Sequence, residues 1–496
     1  MSSDQEQTLA ATVEPDLLDT PSAGPTAIRG SLIRTIGYLV GVLLSLISVP
    51  LIFNHLGREN FGRYVDVIAL VTIVQGVTDV GLGQIGVREY ATRPPSDRER
   101  LMRNLVGVRL VLTSIGVLLA TGFAEVAGYG GVVVAGTVVA GVAMVATVAQ
   151  GTFVIPLATN LRLGWVTALD LLRQTLTVGG IVALILAGSG MFSFLLLTVP
   201  VALVVLIATL ALVRANVPIL PSFDRAEWIA LLRAVLPFAA AVVIATVYLR
   251  LTVVMTSLLA TKGQSGDYNL SFTVISVLVA IPALTVGSTL PVLARAARDN
   301  RDRLDYVLGR LVDVTLIVGV GIGLGLLLSA GFVTHVLTAG KPGAATNVLR
   351  IQSIAIVTQF VGSGWQYGLL ALHRHRALLL ISASGLAVSA SLAASLVPSL
   401  QAQGAAIAFS AGEGVVAVLS YAALRIAKPD IRFDLRIPLR VVVAAGVAAC
   451  ALLLPGLTSL ETGMAGGAAY LALLLALRAL PPEVLDALRS RRPSAA

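Results

Sequence analysis

Cysteine is nearly absent from the chain, with Cys450 the only one in 496 residues. A disulfide framework and a cysteine-based metal site are therefore excluded, and Cys450, inside an apolar run, reads as a small packing residue. Charge is also scarce. Only 12% of residues are charged, against about 25% in soluble domains, while 56% are hydrophobic and mean hydropathy is +0.91. No soluble core needs so much apolar chain, so the protein is a polytopic membrane protein. Alternating polar and apolar stretches are missing, and the apolar runs exceed the roughly 9–11 residues of a barrel strand. An all-α bundle remains, which suits the 47 glycines because small residues let membrane helices approach closely. Lysine is rare, three among 35 basic residues, and nothing functional follows from that.

The net charge is +9, but the basic residues are spread through short loops. That distribution sets membrane orientation and argues against nucleic acid as a partner. The first 27 residues hold five acids and no basic residue, unlike a secretory signal, which opens basic and turns apolar early. They read as a disordered tail.

Runs of about 17–25 apolar residues mark spans. About fourteen are found, at approximately 33–53, 64–87, 104–124, 131–156, 167–187, 191–213, 235–259, 268–291, 307–331, 346–372, 377–397, 404–424, 438–455 and 464–480. With both termini inside, 29 of the 35 basic residues fall on the cytoplasmic side and five outside, leaving Arg250 within a span. The expected organisation is a cytoplasmic tail over 1–30, an N-lobe of six helices over 31–214, a cytoplasmic linker over 215–234, a C-lobe of six helices over 235–427, two further helices over 428–480 and a tail over 481–496. Outer loops are short, which disfavours a membrane-embedded enzyme, since such enzymes need an outer domain to assemble a catalytic constellation. The expectation is a transporter and not an enzyme.

The two lobes repeat a pattern. Gly62-Arg63-Tyr64 opens the second span after an outer hairpin, and Gly266-Asp267-Tyr268 opens the eighth after another. Glycine suits the tight turn, and tyrosine suits the interface, where its ring is buried and its hydroxyl wet. An even number of helices separates the motifs, so the six-helix repeats are parallel, related by an axis along the membrane normal.

At these residues the sequence resembles the polysaccharide transporter (Wzx-type flippase) family of the multidrug/oligosaccharidyl-lipid/polysaccharide exporter superfamily. The resemblance rests on Val49-Pro50-Leu51-Ile52-Phe53, His55-Leu56-Gly57, Phe61-Gly62-Arg63-Tyr64, Thr78-Asp79-Val80-Gly81-Leu82-Gly83 and Val87-Arg88-Glu89-Tyr90-Ala91. In the second half it rests on Leu236-Pro237-Phe238, Tyr248-Leu249-Arg250, Gly266-Asp267-Tyr268, Leu290-Pro291-Val292-Leu293-Ala294-Arg295 and Gly404-Ala405-Ala406-Ile407-Ala408 with Glu413. It covers about residues 30–430. It implies two lobes around a cavity open alternately to either side of the cytoplasmic membrane. It implies translocation of a polyprenyl-diphosphate-linked glycan for surface polysaccharide, driven by an H+ or Na+ gradient or by the membrane potential. No soluble cofactor is implied; membrane lipids and polysaccharide-assembly proteins are the implied partners. Thr252 stands where the family often has an acid, so cation coupling through that position lapses. A multidrug or small-cation antiporter of the same superfamily and a peptidoglycan-precursor flippase are the alternatives.

Arginine near a bilayer centre costs about 2.5–3.5 kcal/mol on insertion scales, so Arg250 is a functional candidate by position alone. Its planar fork suits the phosphate oxygens of a lipid diphosphate. It lies about 14 Å from the outer end of its span at 1.5 Å per residue, with Glu413 at similar depth. Two readings stand: a buried Arg250–Glu413 pair that fixes packing, or substrate binding by Arg250 with Glu413 as its resting partner or a proton site. Asp79, about 22 Å below Tyr64, is a structural ion pair with a loop arginine such as Arg109 or part of an inner gate. Asp66 lies near the outer interface. Gln75, Gln150, Gln359 and Gln366 line a wet cavity or bond other helices. His373-Arg374-His375-Arg376 has no acid or cysteine beside it, so no metal site is expected. The Gly-rich run 319–325 reads as close helix packing, since no Walker-type Lys or Ser/Thr follows.

Overall fold

A bilayer core offers no water to backbone N–H and C=O groups, so each span must close its own hydrogen bonds. The computed structural model, which describes residues 23–79, 81–160, 162–213, 220–287, 293, 301–429, 436–453 and 456–479, meets that demand with helices alone among those residues. In order they are α1 (Ala23–Asp79), α2 (Leu82–Thr92), α3 (Pro95–Val126), α4 (Gly131–Phe153), α5 (Ile155–Thr159), α6 (Leu163–Leu186), α7 (Met191–Leu196) and α8 (Thr198–Val213). Then come α9 (Arg225–Leu259), α10 (Lys262–Gly287), α11 (Arg301–Leu337), α12 (Ala345–Ala371), α13 (His375–Ala427), α14 (Arg436–Ala449) with a 3-10 turn at Cys450–Leu453, and α15 (Ser459–Ala476). Ten described helices are long and apolar enough to cross a membrane.

Two of the expected helix pairs run on as single bent elements. Helix α1 contains the first expected span and the second as far as Asp79, the rest falling in α2, and it turns at Gly57 (φ 73, ψ 170), a positive φ that glycine adopts without a Cβ penalty. Helix α13 contains the eleventh and twelfth and turns at Gln401 (φ 52, ψ −130). A side chain at that φ is strained, and the Gln401 amide holds the turn: Oε1 accepts the Thr261 N–H at 2.8 Å, and Nε2 donates to Pro398 O at 3.2 Å. Helix α1 starts ten residues before the expected 33, and α9 starts inside the expected linker 215–234. The tail over 1–22, Arg295 and Arg298 lie outside the described residues.

The chain forms two compact units. The first comprises residues up to 48, 74–125 and 134–239; the second comprises 49–73, 126–133 and 240 onward. The hairpin around Gly57 thus packs within the second unit, although the repeat in the sequence had grouped it with the N-lobe. Unit one is centred on Leu82, Leu101, Leu105, Phe153 and Val205. Unit two has one core around Leu308, Leu369 and Leu424 and another where α11 meets α14 and α15 around Leu328, Val441 and Tyr470. Three glycines of the 319–325 run pack closely, Gly319 against Phe360, Gly321 against Tyr470 and Gly323 against Val357, whereas a Cβ on Gly325 would meet nothing within 4 Å.

The bend at Gln401 depends on Gly404, where a Cβ would stand 2.4 Å from Leu396 O and 2.6 Å from its carbonyl carbon. Alanine in place of a helical glycine ordinarily stabilises by about 1 kcal/mol; here the backbone must shift, at a cost of about 1–3 kcal/mol. Gly404→Ala is therefore expected to lower the thermal unfolding temperature in detergent, whereas Gly467→Ala, which meets nothing within 4 Å, raises it or leaves it unchanged.

Candidate functional site

In the second unit the span Val242–Leu259 of α9 carries Arg250. The guanidinium is half-buried and lies over the Phe272 ring of α10, 5.7 Å from its centroid. It makes no hydrogen bond or ion pair with any described residue, so the ring face is its only recorded counter-charge. Glu413, on α13 and only 3% exposed, does not pair with it. Its neighbour is the Tyr248 hydroxyl, on the same helix as Arg250 and buried against Ser389 and Gly412. The expected Arg250–Glu413 pair is thus corrected. Helix α9 presents Tyr248 to α13 and Arg250 to α10.

Two residues beyond Arg250, Thr252 is fully buried, and its hydroxyl accepts the Tyr268 O–H at 2.6 Å. Tyr268 is itself 0% exposed, so its expected place at the wet interface is also corrected. Gln352, fully buried, stands beside the same hydroxyl. Gln359 is half-buried with its Oε1 unpartnered, Gln366 is half-buried close to Gly362, and Gln75 is exposed. The structure does not gather these three around Arg250 through any recorded contact.

The end of the second unit at which α1 turns is a backbone-to-backbone junction. A Cβ on Gly62 would lie 3.1 Å from Gly266 N, and one on Gly266 would lie 2.1 Å from Arg58 O. The two glycines read in the sequence as equivalent positions of a repeat therefore touch each other. Arg58 pairs with Asp267 at 3.1 Å and donates to Lys341 O at 2.5 Å, and Asp267 accepts the Ala344 N–H at 2.9 Å. Beside the junction, buried Asp66 accepts the Ser257 hydroxyl at 2.5 Å and the Asn269 amide at 3.3 Å.

The first unit holds two of its arginines by side-chain hydrogen bonds, one of them to a carboxylate. Arg109, 6% exposed, donates to Asp79 at 2.7 Å and to Thr152 Oγ1 at 2.9 Å. Arg173 donates to Gln150 at 2.6 Å, and Gln150 in turn donates to Thr209 at 3.2 Å. Helix α6 begins at Leu163, four residues before the expected 167, which places Arg173 mid-helix. At the end assigned to the cytoplasm, Arg93 pairs with Glu227 at 2.6 Å and Arg100 with Asp224 at 2.5 Å. The Arg100 hydrogen bond, helped by the Ala226 N–H, holds the Asp224 carboxyl below its usual range. No group of three or more metal-ligating side chains occurs among the described residues.

Bent and straight apolar helices in two compact units, with charges bound in the membrane, define a multi-pass helical membrane protein of transporter fold. Residues 27–297 match the family model described as "Polysaccharide biosynthesis protein", and the chain belongs to that family. Its fold is similar to that of the lipid II flippase MurJ in an inward closed conformation, at TM-score 0.77 and 12% identity over 90% of this chain and 99% of that one. An inward-facing multidrug resistance transporter of the MATE family and MOP superfamily gives TM-score 0.60 at 12% identity, over 81% of this chain and 99% of that one. A MOP superfamily transporter from Pyrococcus furiosus, whose binding pocket is described as of reverse polarity, gives 0.56 at 16% identity, over 81% and 95%. No curated protein matches the chain in sequence.

The Asp79–Arg109 pair is asymmetric, since the Asp79 side chain is 40% exposed and that of Arg109 only 7%. Asp79→Ala strands a buried cation and is expected to cost about 1–3 kcal/mol, scaled down from a fully buried pair. Arg109→Met keeps the apolar stem and leaves a carboxylate that reaches solvent, so it costs less. Thermal unfolding of both single variants and the double variant checks this, the double variant falling near Arg109→Met and not at the sum.

Proposed function

We propose that the protein is a flippase that carries a polyprenyl-diphosphate-linked oligosaccharide across the cytoplasmic membrane by alternating access, for surface polysaccharide synthesis. The observation that carries this reading is Arg250, an arginine inside a membrane helix with no anionic partner among the described residues. A cation kept there is costly, and a ligand that brings negative charge removes the cost. A diphosphate is such a ligand: it must leave one interface and reach the other, and crossing apolar space unpaired would cost many kcal/mol. The guanidinium can donate to two of its oxygens at once. Membership of the polysaccharide biosynthesis family supports a glycan as the cargo.

The likeness to a lipid II flippase favours a second reading, a peptidoglycan precursor as the glycan. The two cargoes share the lipid diphosphate that Arg250 would hold. The drug or small-cation antiporter reading is weaker, because a free arginine repels cations.

Translocation of a fluorescent polyprenyl-diphosphate oligosaccharide in proteoliposomes tests the proposal. Arg250→Ala is expected to slow translocation at least tenfold with protein abundance unchanged, and Arg250→Lys to retain part of the rate. Wild-type rates in Arg250→Ala, or transport of cationic dyes without lipid translocation, overturn it. Competition by unlabelled lipid II against other lipid-linked glycans separates the two cargoes.

A further inference from the structure

Asp66 is 5% exposed and has no ion pair among the described residues. Both carboxylate oxygens are engaged, Oδ2 by the Ser257 hydroxyl at 2.5 Å and Oδ1 by the Asn269 amide at 3.3 Å. The same amide donates to Gly62 O at 3.3 Å, which it reaches because Gly62 and Gly266 have no side chains to hold the two backbones apart. Beside Asp66 lies a cavity of ≈ 130 Å³, lined among others by Tyr129, Ser257, Lys262 and Ser265. That volume holds several waters. The Ser265 hydroxyl, 3% exposed, has no hydrogen-bond partner among the described residues, and neither does the Asn269 carbonyl oxygen, 0% exposed.

We propose that Asp66 is a proton-binding site at the end of the second unit where α1 turns, filled from this cavity through Ser257, and that its occupancy sets how firmly the hairpin around Gly57 is held against α10. The chemistry favours a proton over a metal ion. A metal needs the carboxylate's lone pairs turned toward it together with those of other ligands, whereas here an O–H and an N–H donor already engage both carboxylate oxygens. A proton needs only one change. It adds to Oδ2, the Ser257 hydroxyl turns to accept the Asp66 O–H across the same short distance, and the Ser257 hydrogen is then free for the Tyr129 hydroxyl or cavity water. No covalent bond breaks, and the side chain passes from one negative charge to none.

The facing charged and titratable groups are few. From α1 these are Glu59 and Arg63, which pair with each other at 3.8 Å; Lys262 comes from α10 and Tyr129 from the turn before α4, while α9 presents only Ser257 and Leu258. Arg58 and Asp267 engage each other on the far side of Gly266. Desolvating a carboxylate that lacks a cationic partner is costly, and the neutral acid avoids the cost. Proton binding therefore favours the closed junction, and proton loss favours its opening toward water.

The inference is independent of the cargo, since its test involves no transport. Hydrogen–deuterium exchange of the full-length protein in detergent, corrected for intrinsic exchange, is followed from pH 5 to pH 8 over peptides spanning residues 57–66 and 262–269. Wild type is expected to lose protection at least tenfold as pH rises, and Asp66→Asn to stay protected throughout at the level of wild type in acid. Ser257→Ala, which retains the carboxyl, is expected to move the midpoint by one pH unit or more, so the test stands even where Asp66→Asn does not fold. A wild-type junction indifferent to pH, an unchanged pH response in Asp66→Asn, or protection that follows Na+ concentration at fixed pH overturns the proposal.

Discussion

The cost of leaving a charge unpaired in a low-dielectric interior organises this structure. Where the chain supplies a partner, the charge is structural. Arg109 has Asp79 and Thr152, and Arg173 has Gln150, each with donor and acceptor in contact. Such pairs repay desolvation only with good geometry, and they hold helices in one arrangement. Arg250 differs in having no hydrogen-bond or ion-pair partner among the described residues, and Asp66 in being held by an uncharged hydroxyl and amide beside a cavity. The two proposals assign an anion to the first and a proton to the second.

Much of the fold was legible because hydropathy and basic-loop bias report directly on the bilayer. The turn between the first two spans falls at Gly57, within the expected hairpin but five residues before Gly62, the glycine read from the sequence as the turn residue. Contacts around the helix axis were less legible. Depth can be counted at 1.5 Å per residue, and on depth alone Arg250 and Glu413 look like partners. Pairing requires direction as well, and two residues apart on α9 the side chains diverge, Tyr248 toward α13 and Arg250 toward α10. Tyr268 was misplaced for a related reason. Its position at the mouth of a span suggested a wet hydroxyl, but Thr252 offers a buried acceptor 16 residues earlier in the chain, which no local pattern reveals.

The repeat was read as a motif, and its two glycines also make a contact. Gly62 and Gly266 looked like equivalent turn positions in separate lobes. In the structure they are a single close approach, and this approach carries Asn269 to Asp66. The role of Thr252 changes likewise, from the absence of a family carboxylate to the acceptor that anchors Tyr268. Solved structures at 12–16% identity establish the fold only, so these side-chain roles rest on the chain's own geometry.

The central claim is that Arg250 is kept unpaired for an anionic lipid. Binding of glycan-free polyprenyl diphosphate to purified wild type and Arg250→Gln, measured by native mass spectrometry with the monophosphate as comparator, addresses it without any transport step. The account predicts that wild type prefers the diphosphate and that Arg250→Gln loses at least tenfold in affinity together with that preference. Equal binding by the two proteins would contradict it.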